Sequence, residues 1–197
     1  MTPDQQGPAR QVCLVGLRGS GKSSVGKALA ALLGWPLVDT DTELTVRHGP
    51  IAKQFATDGE IEFRQREKAV LAECLRQSPL VLSTGGGAVL LEANRELLAQ
   101  AHTVWLHAQP IELARRIVED PATASQRPFL AAGERAGEES ELERWRREME
   151  KLLEAREPLY AEVARQVIDT GTMSPLAAAA AIARTIAGTN AKAGSNA

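Results

Sequence analysis

Residues 16–24 read Gly16-Leu17-Arg18-Gly19-Ser20-Gly21-Lys22-Ser23-Ser24. They contain the pattern G-x-x-x-x-G-K-[ST], which forms a phosphate-binding P-loop when a strand precedes it and a helix follows. The glycines let backbone N–H groups turn toward phosphate oxygens, and the N-terminus of the following helix adds a positive dipole. Lys22 then reaches the β- and γ-phosphates, and the Ser23 hydroxyl is placed to bind Mg²⁺. The alternative is a glycine-rich turn that only caps a helix.

The sequence on both sides of this loop favours the nucleotide-binding interpretation. Val12-Cys13-Leu14-Val15 is a short apolar run that is typical of a buried strand. Residues 25–33 place apolar side chains at helical spacing. A strand, a glycine-rich loop and a helix therefore follow one another in the order that a P-loop requires.

Composition limits the class of protein. The 197 residues are 44% hydrophobic and 24% charged, which is typical of one soluble globular domain. A net charge of −2 argues against a nucleic-acid-binding surface, because such a surface normally carries a basic stripe. The N-terminus lacks the features of a signal peptide, and no apolar run is long enough to span a bilayer. We therefore expect a cytoplasmic protein that binds neither nucleic acid nor a membrane.

The two cysteines and three histidines give no sign of a disulfide or a metal centre. Cys13 falls in the first predicted strand and Cys74 in a predicted helix, so both are expected to be small core residues. His102 and His107 flank a predicted strand, and His48 lies far away along the chain. No metal-ligand spacing emerges, so each histidine is expected to be structural or exposed to solvent.

Apolar runs and helical patterns alternate along the rest of the chain. Further strands are predicted at residues 35–38, 80–83, 103–106 and 166–169, and helices from about residue 42 and at 59–77, 91–100, 110–119, 138–164 and 175–187. This alternation predicts an α/β fold, in which helices cover both faces of a parallel sheet. The long charged helix at 138–164 is expected to be mostly exposed and bent at Pro158. Residues 1–10 and 188–197 are expected to be flexible tails.

Two carboxylates follow the second predicted strand. Asp39 and Asp41 would lie at its C-terminal end, where open α/β sheets bind their ligands. Residues two apart in a strand point to the same side, so both carboxylates would face one cleft. One could serve a metal ion and the other a substrate hydroxyl. An Asp-rich turn, or an N-cap for the helix that starts near Thr42, is the alternative, and the residues alone leave both open.

Arg64 and Glu67 are spaced three residues apart on one face of a predicted helix. From the spacing alone, a surface ion pair that contributes little to stability is the favoured interpretation. The alternative is an arginine that Glu67 holds in place to bind a substrate carboxylate through two hydrogen bonds.

Three glycines, Gly85-Gly86-Gly87, follow the third predicted strand. Consecutive glycines after a strand indicate either a tight loop or a backbone that approaches a ligand closely. Because a P-loop is expected beside them, the role facing a ligand is favoured.

Residues 120–134 are rich in small residues and helix breakers and lie between two predicted helices. This composition suggests a mobile lid, from which Arg127 would swing onto the transferring phosphate. A solvated linker is the alternative.

Taken in this order, the motifs resemble those of the shikimate kinases, small relatives of the nucleoside monophosphate kinases. The resemblance runs from about Val12 to Ala187 and rests on residues 16–24, 39–41, 55–64, 85–87, 127–128 and 156–160. It implies one P-loop kinase domain, residues 11–187, with a three-layer αβα fold and a five-stranded parallel sheet of order 2-3-1-4-5. Substrate-binding helices would span about 42–78, and the mobile lid about 120–138.

The resemblance implies an enzyme that transfers phosphate from ATP to an alcohol group of shikimate, a step in aromatic amino-acid biosynthesis. Mg²⁺ is the implied cofactor, and the protein is expected to be a monomer. Lys22, Asp41 and Arg127 are the implied catalytic residues, while Ser23 and Asp39 serve the metal, Asp39 through water. The implied ATP contacts are Gly19, Ser20, Gly21, Lys22, Ser23, Ser24, Arg116, which packs on adenine, and Arg127. The implied shikimate contacts are Asp41, Arg64, Gly85, Gly86, Gly87 and Arg156.

The chain departs from the family's pattern in two places. Met173 stands where some relatives place a polar or basic contact to adenine, which bears on adenine affinity. Residues 131–141 are longer and more charged than a minimal family member needs.

Two other functions are alternatives to this one. A small P-loop kinase for gluconate or a nucleotide would not need both carboxylate-binding arginines. A non-catalytic sensor of shikimate-like ligands would be expected to have lost phosphate- or metal-binding residues.

Overall fold

The fold is seen in a computed structural model that describes residues 10–120 and 140–194, with side chains through residue 188. Its five strands are β1 (Gln11–Val15), β2 (Leu37–Asp39), β3 (Leu80–Ser83), β4 (His102–His107) and β5 (Gln166–Asp169). They form one sheet of order β2-β3-β1-β4-β5, in which every neighbouring pair is parallel. The predicted α/β class and strand order 2-3-1-4-5 are confirmed.

Helices cover both faces of the sheet. They are α1 (Lys22–Leu33), α2 (Thr40–His48), α3 (Ile51–Cys74), α4 (Glu92–Gln100), α5 (Pro110–Glu119), α6 (Glu141–Val163) and α7 (Pro175–Gly194), with a short 3₁₀ helix at Ala88–Leu90. Helices α1 and α7 pack on one face, and α3 to α6 pack on the other. None of the helices in the described ranges is long and apolar enough to cross a lipid bilayer.

Strand β1 is apolar from Val12 to Val15 because both of its faces are covered there. Val12 and Leu14 pack into the cluster beneath α1 and α7. Cys13 and Val15 point the other way, into the cluster beneath α3 to α6. Central strands of a parallel sheet are buried on both sides, so the apolar run has no polar alternation. This buried strand leads directly into the P-loop and fixes the loop at the carboxyl edge of the sheet.

Helix α6 is not mostly exposed, so that part of the sequence prediction is wrong. Trp145, Met149 and Tyr160 are among its fully buried side chains, each less than 3% exposed. They recur at helical spacing along one face of the helix. The composition of the segment does not reveal this apolar face, because many charged residues stand between these three in the sequence. The helix continues through Pro158.

The boundaries of four other elements also differ from the prediction. Helix α7 continues to Gly194, so residues 188–194 are helical rather than a flexible tail. Strand β2 begins at Leu37, and the following helix begins at Thr40. Helix α3 begins at Ile51 and contains a break at Gly59, whose φ of 80° favours glycine. Gly59 therefore separates a first helical segment from the one that carries Arg64 and Glu67.

Both cysteines are free and buried, as predicted. Burial raises the pKa of the Cys13 thiol to about 12 and raises that of Cys74 above its usual value. Because the thiolate is the reactive form, a raised pKa suppresses reaction at neutral pH. We expect the folded protein to resist alkylation by iodoacetamide, and both thiols to react after denaturation. Intact-mass spectrometry measures the extent of alkylation directly. Rapid alkylation of the folded chain would contradict the assignment of both cysteines as buried.

Candidate active site

A cleft of about 820 Å³ opens at the carboxyl ends of the strands. The P-loop, the end of β2, the glycine loop after β3, and helices α5 and α6 contribute to its walls. Carboxyl ends of parallel strands are where open α/β sheets bind ligands. Ten of the predicted site residues line this cleft: Gly19, Gly21, Lys22, Ser23, Ser24, Asp39, Asp41, Gly86, Arg116 and Arg156.

The P-loop wraps its own backbone around the Lys22 ammonium. Lys22 Nζ donates to the carbonyl oxygens of Gly16 at 2.8 Å and Leu17 at 2.9 Å. Gly16 and Gly19 have φ values of 143° and 79°. A Cβ at Gly16 would lie 2.4 Å from the carbonyl oxygen of Leu106, so no larger residue fits there. The loop therefore holds a cation at the N-terminus of α1, which is the arrangement that binds phosphate.

Arg116 joins the P-loop to the segment after β5. Its Nη1 donates to Gly19 O at 3.2 Å, and its Nη2 donates to Thr170 O at 2.6 Å. Its Nε donates to Glu112 at 3.0 Å. The Arg115 guanidinium, with a further contribution from Arg116, holds the pKa of Glu112 below its usual value. A charged Glu112 thus keeps the planar guanidinium of Arg116 oriented at the rim of the cleft.

Thr170 is a buried contact that the sequence did not predict. Its hydroxyl lies 3.1 Å from Ser20 O and 3.0 Å from His107 O. The backbone N–H of Thr170 also donates to His107 O at 2.8 Å. A hydroxyl has one proton and can donate to one of these two carbonyl oxygens at a time. Thr170 therefore ties the P-loop to the ends of β4 and β5.

Asp39 and Asp41 both reach the cleft, but not by lying in one strand. Asp39 ends β2 and caps α2, where its Oδ1 accepts the N–H groups of Asp41 at 3.0 Å and Thr42 at 3.2 Å. Asp41 lies in the first turn of α2, so the predicted position of both side chains on one face of a strand is wrong. Asp39 is therefore an N-cap, as the alternative interpretation predicts. It can also have a second role, because the residue lines the cleft.

Neighbouring elements anchor the glycine loop, Gly85 to Gly87. The Thr40 hydroxyl accepts the N–H of Gly85 at 3.0 Å. Gly86 O accepts two hydrogen bonds from α6, one from Arg156 Nη1 at 3.2 Å and one from the Tyr160 hydroxyl at 2.6 Å. Tyr160 belongs to the motif at residues 156–160, for which no individual role of this tyrosine is predicted.

Arg64 and Glu67 form a buried ion pair, so the surface ion pair favoured from spacing alone is wrong. Arg64 Nη1 donates to Glu67 Oε2 at 2.7 Å, with side-chain exposures of 10% and 1%. Glu60 accepts from the Nη2 of Arg64 at 3.2 Å. A Cβ at Gly87 would lie 2.5 Å from Arg64 Nη1, so the guanidinium packs directly against the glycine loop. Arg64 contacts the glycine loop and is not itself among the residues that line the cleft.

Some predicted features fall outside the described ranges. Arg127 and the predicted lid after Asp120 lie at residues 121–139, so the structure says nothing of them. Most of the charged extension at 131–141 lies there too. Met173 is described and packs against the apolar cluster beneath α1 and α7.

The fold and the site together define a class. A P-loop between β1 and α1 faces acidic and arginine side chains across one cleft, which is the arrangement of a small P-loop phosphotransferase. The chain belongs to the shikimate kinase family, because the family model described as Shikimate kinase matches residues 18–187. The resemblance seen in the sequence is thereby confirmed.

Similar proteins agree with this assignment. The shikimate kinase of Bordetella avium is 41% identical over 164 residues, which cover 82% of this chain and 72% of that protein. The shikimate kinase of Syntrophus aciditrophicus is 40% identical over 167 residues, which cover 84% of this chain and 85% of that protein. Among solved structures, a shikimate kinase from Acinetobacter baumannii in complex with shikimate matches with a TM-score of 0.79 and 35% identity, covering 91% of this chain and 93% of that one.

A gluconokinase from Sinorhizobium meliloti also matches, with a TM-score of 0.60 at 20% identity. The match covers 95% of this chain and 99% of that one. At this identity the likeness extends to the fold alone. The predicted alternative of a gluconate kinase therefore gains no support from it.

Proposed function

We propose that this chain transfers the γ-phosphate of ATP to a hydroxyl of shikimate, giving ADP and shikimate 3-phosphate. The main support for this proposal is that two arginines contact the glycine loop. Arg64 packs against Gly87, and Arg156 donates to Gly86 O. Gly86 lines the same cleft as Lys22. This combination of groups is suited to bind an anion that carries several hydroxyls.

The glycine-loop end of the cleft suits a carboxylate. Arg156 is 9% exposed and Arg64 is 8% exposed, so charge–charge attraction there is screened less than at the surface. A guanidinium offers planar paired donors that match a carboxylate in shape. We propose that both arginines bind the shikimate carboxylate, and that Asp41 and the backbone of Gly85 to Gly87 bind ring hydroxyls.

The P-loop end suits the nucleotide. We propose that Lys22 and the backbone N–H groups of Gly19 to Ser24 hold the phosphates, and that Arg116 packs on adenine. A phosphate oxygen would compete with Gly16 O and Leu17 O for the N–H donors of Lys22. Arg127 is proposed to meet the γ-phosphate from the segment outside the described ranges.

The reaction is a transfer between two oxygens. The substrate hydroxyl oxygen forms a bond to the γ-phosphorus, and the bond from that phosphorus to the bridging oxygen of ADP breaks. The transition state is loose, so catalysis depends on positioning and on charge stabilisation more than on a strong base. Asp41 is proposed to orient the attacking hydroxyl and to accept its proton late, while Lys22 offsets the negative charge on the phosphates.

The residues present fit a magnesium ion. Mg²⁺ keeps several waters and is usually held by one or two protein oxygens together with substrate phosphates. The described part of the chain holds no cluster of three or more His, Cys, Asp or Glu side chains that could form an all-protein metal cage. It does place Ser23 and Asp39 in the cleft wall. We propose that these two serve the ion, Asp39 through water, and that the bound ion neutralises phosphate charge.

The alternative of a non-catalytic sensor is not favoured. Lys22, Ser23 and Asp39, which such a sensor would be expected to lose, all line the cleft. The monomeric state stays a prediction from the sequence, and light scattering after size-exclusion chromatography tests it.

An acceptor screen tests the proposed function. Purified protein with Mg·ATP is offered shikimate, gluconate or GMP, and ADP release is followed by a coupled assay. We expect release with shikimate well above the rate without an acceptor, and none above that rate with the other two. Turnover with gluconate or GMP, without turnover on shikimate, would overturn the proposal.

A further inference from the structure

We propose that Tyr160 is a positioning residue of the shikimate site, acting through the carbonyl group of Gly86. Its hydroxyl fixes the glycine loop and Arg156 relative to each other before the substrate arrives. The inference rests on the proposed function for the identity of the substrate. It assigns a role to a side chain that carries no charge and is not itself part of the cleft lining.

The surroundings of Tyr160 leave its hydroxyl little freedom. The residue is 1% exposed, and its ring stacks on Trp105 with centroids 5.8 Å apart and planes 23° apart. The hydroxyl donates to Gly86 O at 2.6 Å, a contact across 74 positions of the sequence. A buried ring with one polar end is suited to deliver a hydrogen bond to a fixed point.

The glycine loop needs an external anchor of this kind. Glycine backbone has access to more conformations than any other residue, and Gly85 to Gly87 have no side chains that could pack. Each of the three glycines is held by a different neighbour. Gly85 N–H bonds to the Thr40 hydroxyl, Gly87 lies against the Arg64 guanidinium, and Gly86 O bonds to α6 through Tyr160 and Arg156.

Tyr160 also affects both arginines. A carbonyl oxygen has two lone pairs, and Gly86 O accepts from Tyr160 and from Arg156 Nη1. The peptide that follows is planar and trans, so fixing Gly86 O fixes the Gly87 N–H on the opposite side. Gly87 is the residue against which Arg64 packs. The Tyr160 hydroxyl therefore fixes the position of the glycine-loop backbone between Arg64 and Arg156, the two residues that we propose bind the carboxylate.

Removing the hydroxyl should affect one substrate and not the other. Without it, Arg156 becomes the remaining donor from α6 to Gly86 O and is drawn toward the loop, away from the substrate carboxylate. The nucleotide contacts proposed for Lys22 and Arg116 depend on Gly16, Leu17, Gly19 and Thr170 instead. The expected defect is therefore weaker use of shikimate with unchanged use of ATP.

The main test is Tyr160→Phe, which removes the hydroxyl and keeps the ring. We expect KM for shikimate to rise about five- to tenfold, the size of one neutral hydrogen bond, with KM for ATP and kcat within twofold of the wild type. The matched control is Thr103→Val. Thr103 is fully buried, and its hydroxyl also donates to a backbone carbonyl at 2.6 Å, that of Leu98. Its loss should lower Tm without changing KM for shikimate.

A second measurement uses the folded wild-type chain. Tyr160 is the only tyrosine in the sequence, so incorporation of 3-fluorotyrosine gives a single ¹⁹F resonance from this ring. We expect shikimate alone, without ATP, to shift that resonance, and gluconate at the same concentration to leave it unchanged. This readout does not depend on turnover or on the folding of a variant.

The outcomes separate this inference from the proposed function. If the wild type does not phosphorylate shikimate, the proposed function fails. If the wild type does phosphorylate shikimate, but Tyr160→Phe and Thr103→Val have the same KM for shikimate, the positioning role of Tyr160 is wrong. A rise in KM for ATP rather than shikimate, or a ¹⁹F resonance that saturating shikimate does not move, would also overturn it.

Discussion

Asp41→Asn is expected to lower turnover by on the order of 10²-fold or more, while binding of Mg·ATP stays intact. The substitution keeps the shape of the side chain but removes its charge and one acceptor oxygen. Asp41 lies in the first turn of α2 and lines the cleft, where we propose that it orients the attacking hydroxyl. Misplacement of a reacting group by a small distance is enough to produce a loss of this size.

Asp39→Asn is the matched comparison and should behave differently. Asparagine is as good an N-cap as aspartate, so the hydrogen bonds from Asp41 and Thr42 to this side chain can persist. We expect a raised Mg²⁺ requirement that excess metal relieves in part. Titration of both variants with Mg²⁺ at saturating shikimate measures the difference. If Asp41→Asn is the variant that excess metal rescues, the two roles are reversed.

Arg64→Lys is expected to reduce kcat/KM for shikimate by roughly 30-fold or more. This corresponds to the lower end of the ~2–5 kcal/mol lost when a desolvated charge pair is truncated. Lysine keeps the charge but has no planar fork, so it cannot bond Glu67 and remain aligned along Gly87 in the same way. KM for ATP should be nearly unchanged. Steady-state kinetics with each substrate varied in turn separates the two effects.

Arg66→Lys provides the control on the same helix. Arg66 pairs with Asp58 at 2.7 Å, and the two side chains are 23% and 37% exposed. Ion pairs that are open to solvent contribute little, so this substitution should leave both KM values near those of the wild type. If Arg64→Lys is kinetically as silent as Arg66→Lys, the carboxylate-binding role of Arg64 is wrong.

The fold was predictable where local signals are strong. Strand β3 at residues 80–83, strand β5 at 166–169 and helix α5 at 110–119 have the bounds that the sequence predicts. Apolar runs define the two strands, and Pro110 at the first position of α5 marks the start of that helix. The strand order followed from the family resemblance rather than from any local pattern.

Two of the errors share a physical cause, which is that spacing does not say which face of a helix is buried. Arg64 and Glu67 have the spacing of a surface pair, yet the packing of α3 turns both inward. In α6 the charged residues outnumber the apolar ones, although Trp145 and Tyr160 make one face part of the core. The error at Asp41 has a different cause, because Asp39 caps α2 and starts that helix two residues earlier than expected, which moves Asp41 from a strand to a helix.

Two contacts in the site could not have been found from the sequence. The Tyr160 hydroxyl meets Gly86 across 74 positions, and the Thr170 hydroxyl meets Ser20 across 150. Neither residue type points to phosphoryl transfer, and no local pattern shows which carbonyl group such a hydroxyl will reach. The parallel sheet gathers Ser20 and Thr170 at the carboxyl edge of its strands, and the packing of α6 beside the glycine loop brings Tyr160 to Gly86.

The identity of the phosphorylated product tests the account most directly. The purified chain is incubated with Mg·ATP and shikimate, and ADP, inorganic phosphate and phosphorylated shikimate are measured together by ³¹P NMR. We predict one phosphomonoester of shikimate, carrying the phosphate on the 3-hydroxyl and formed in a one-to-one ratio with ADP. Formation of ADP with inorganic phosphate, and no phosphorylated shikimate, would contradict the account.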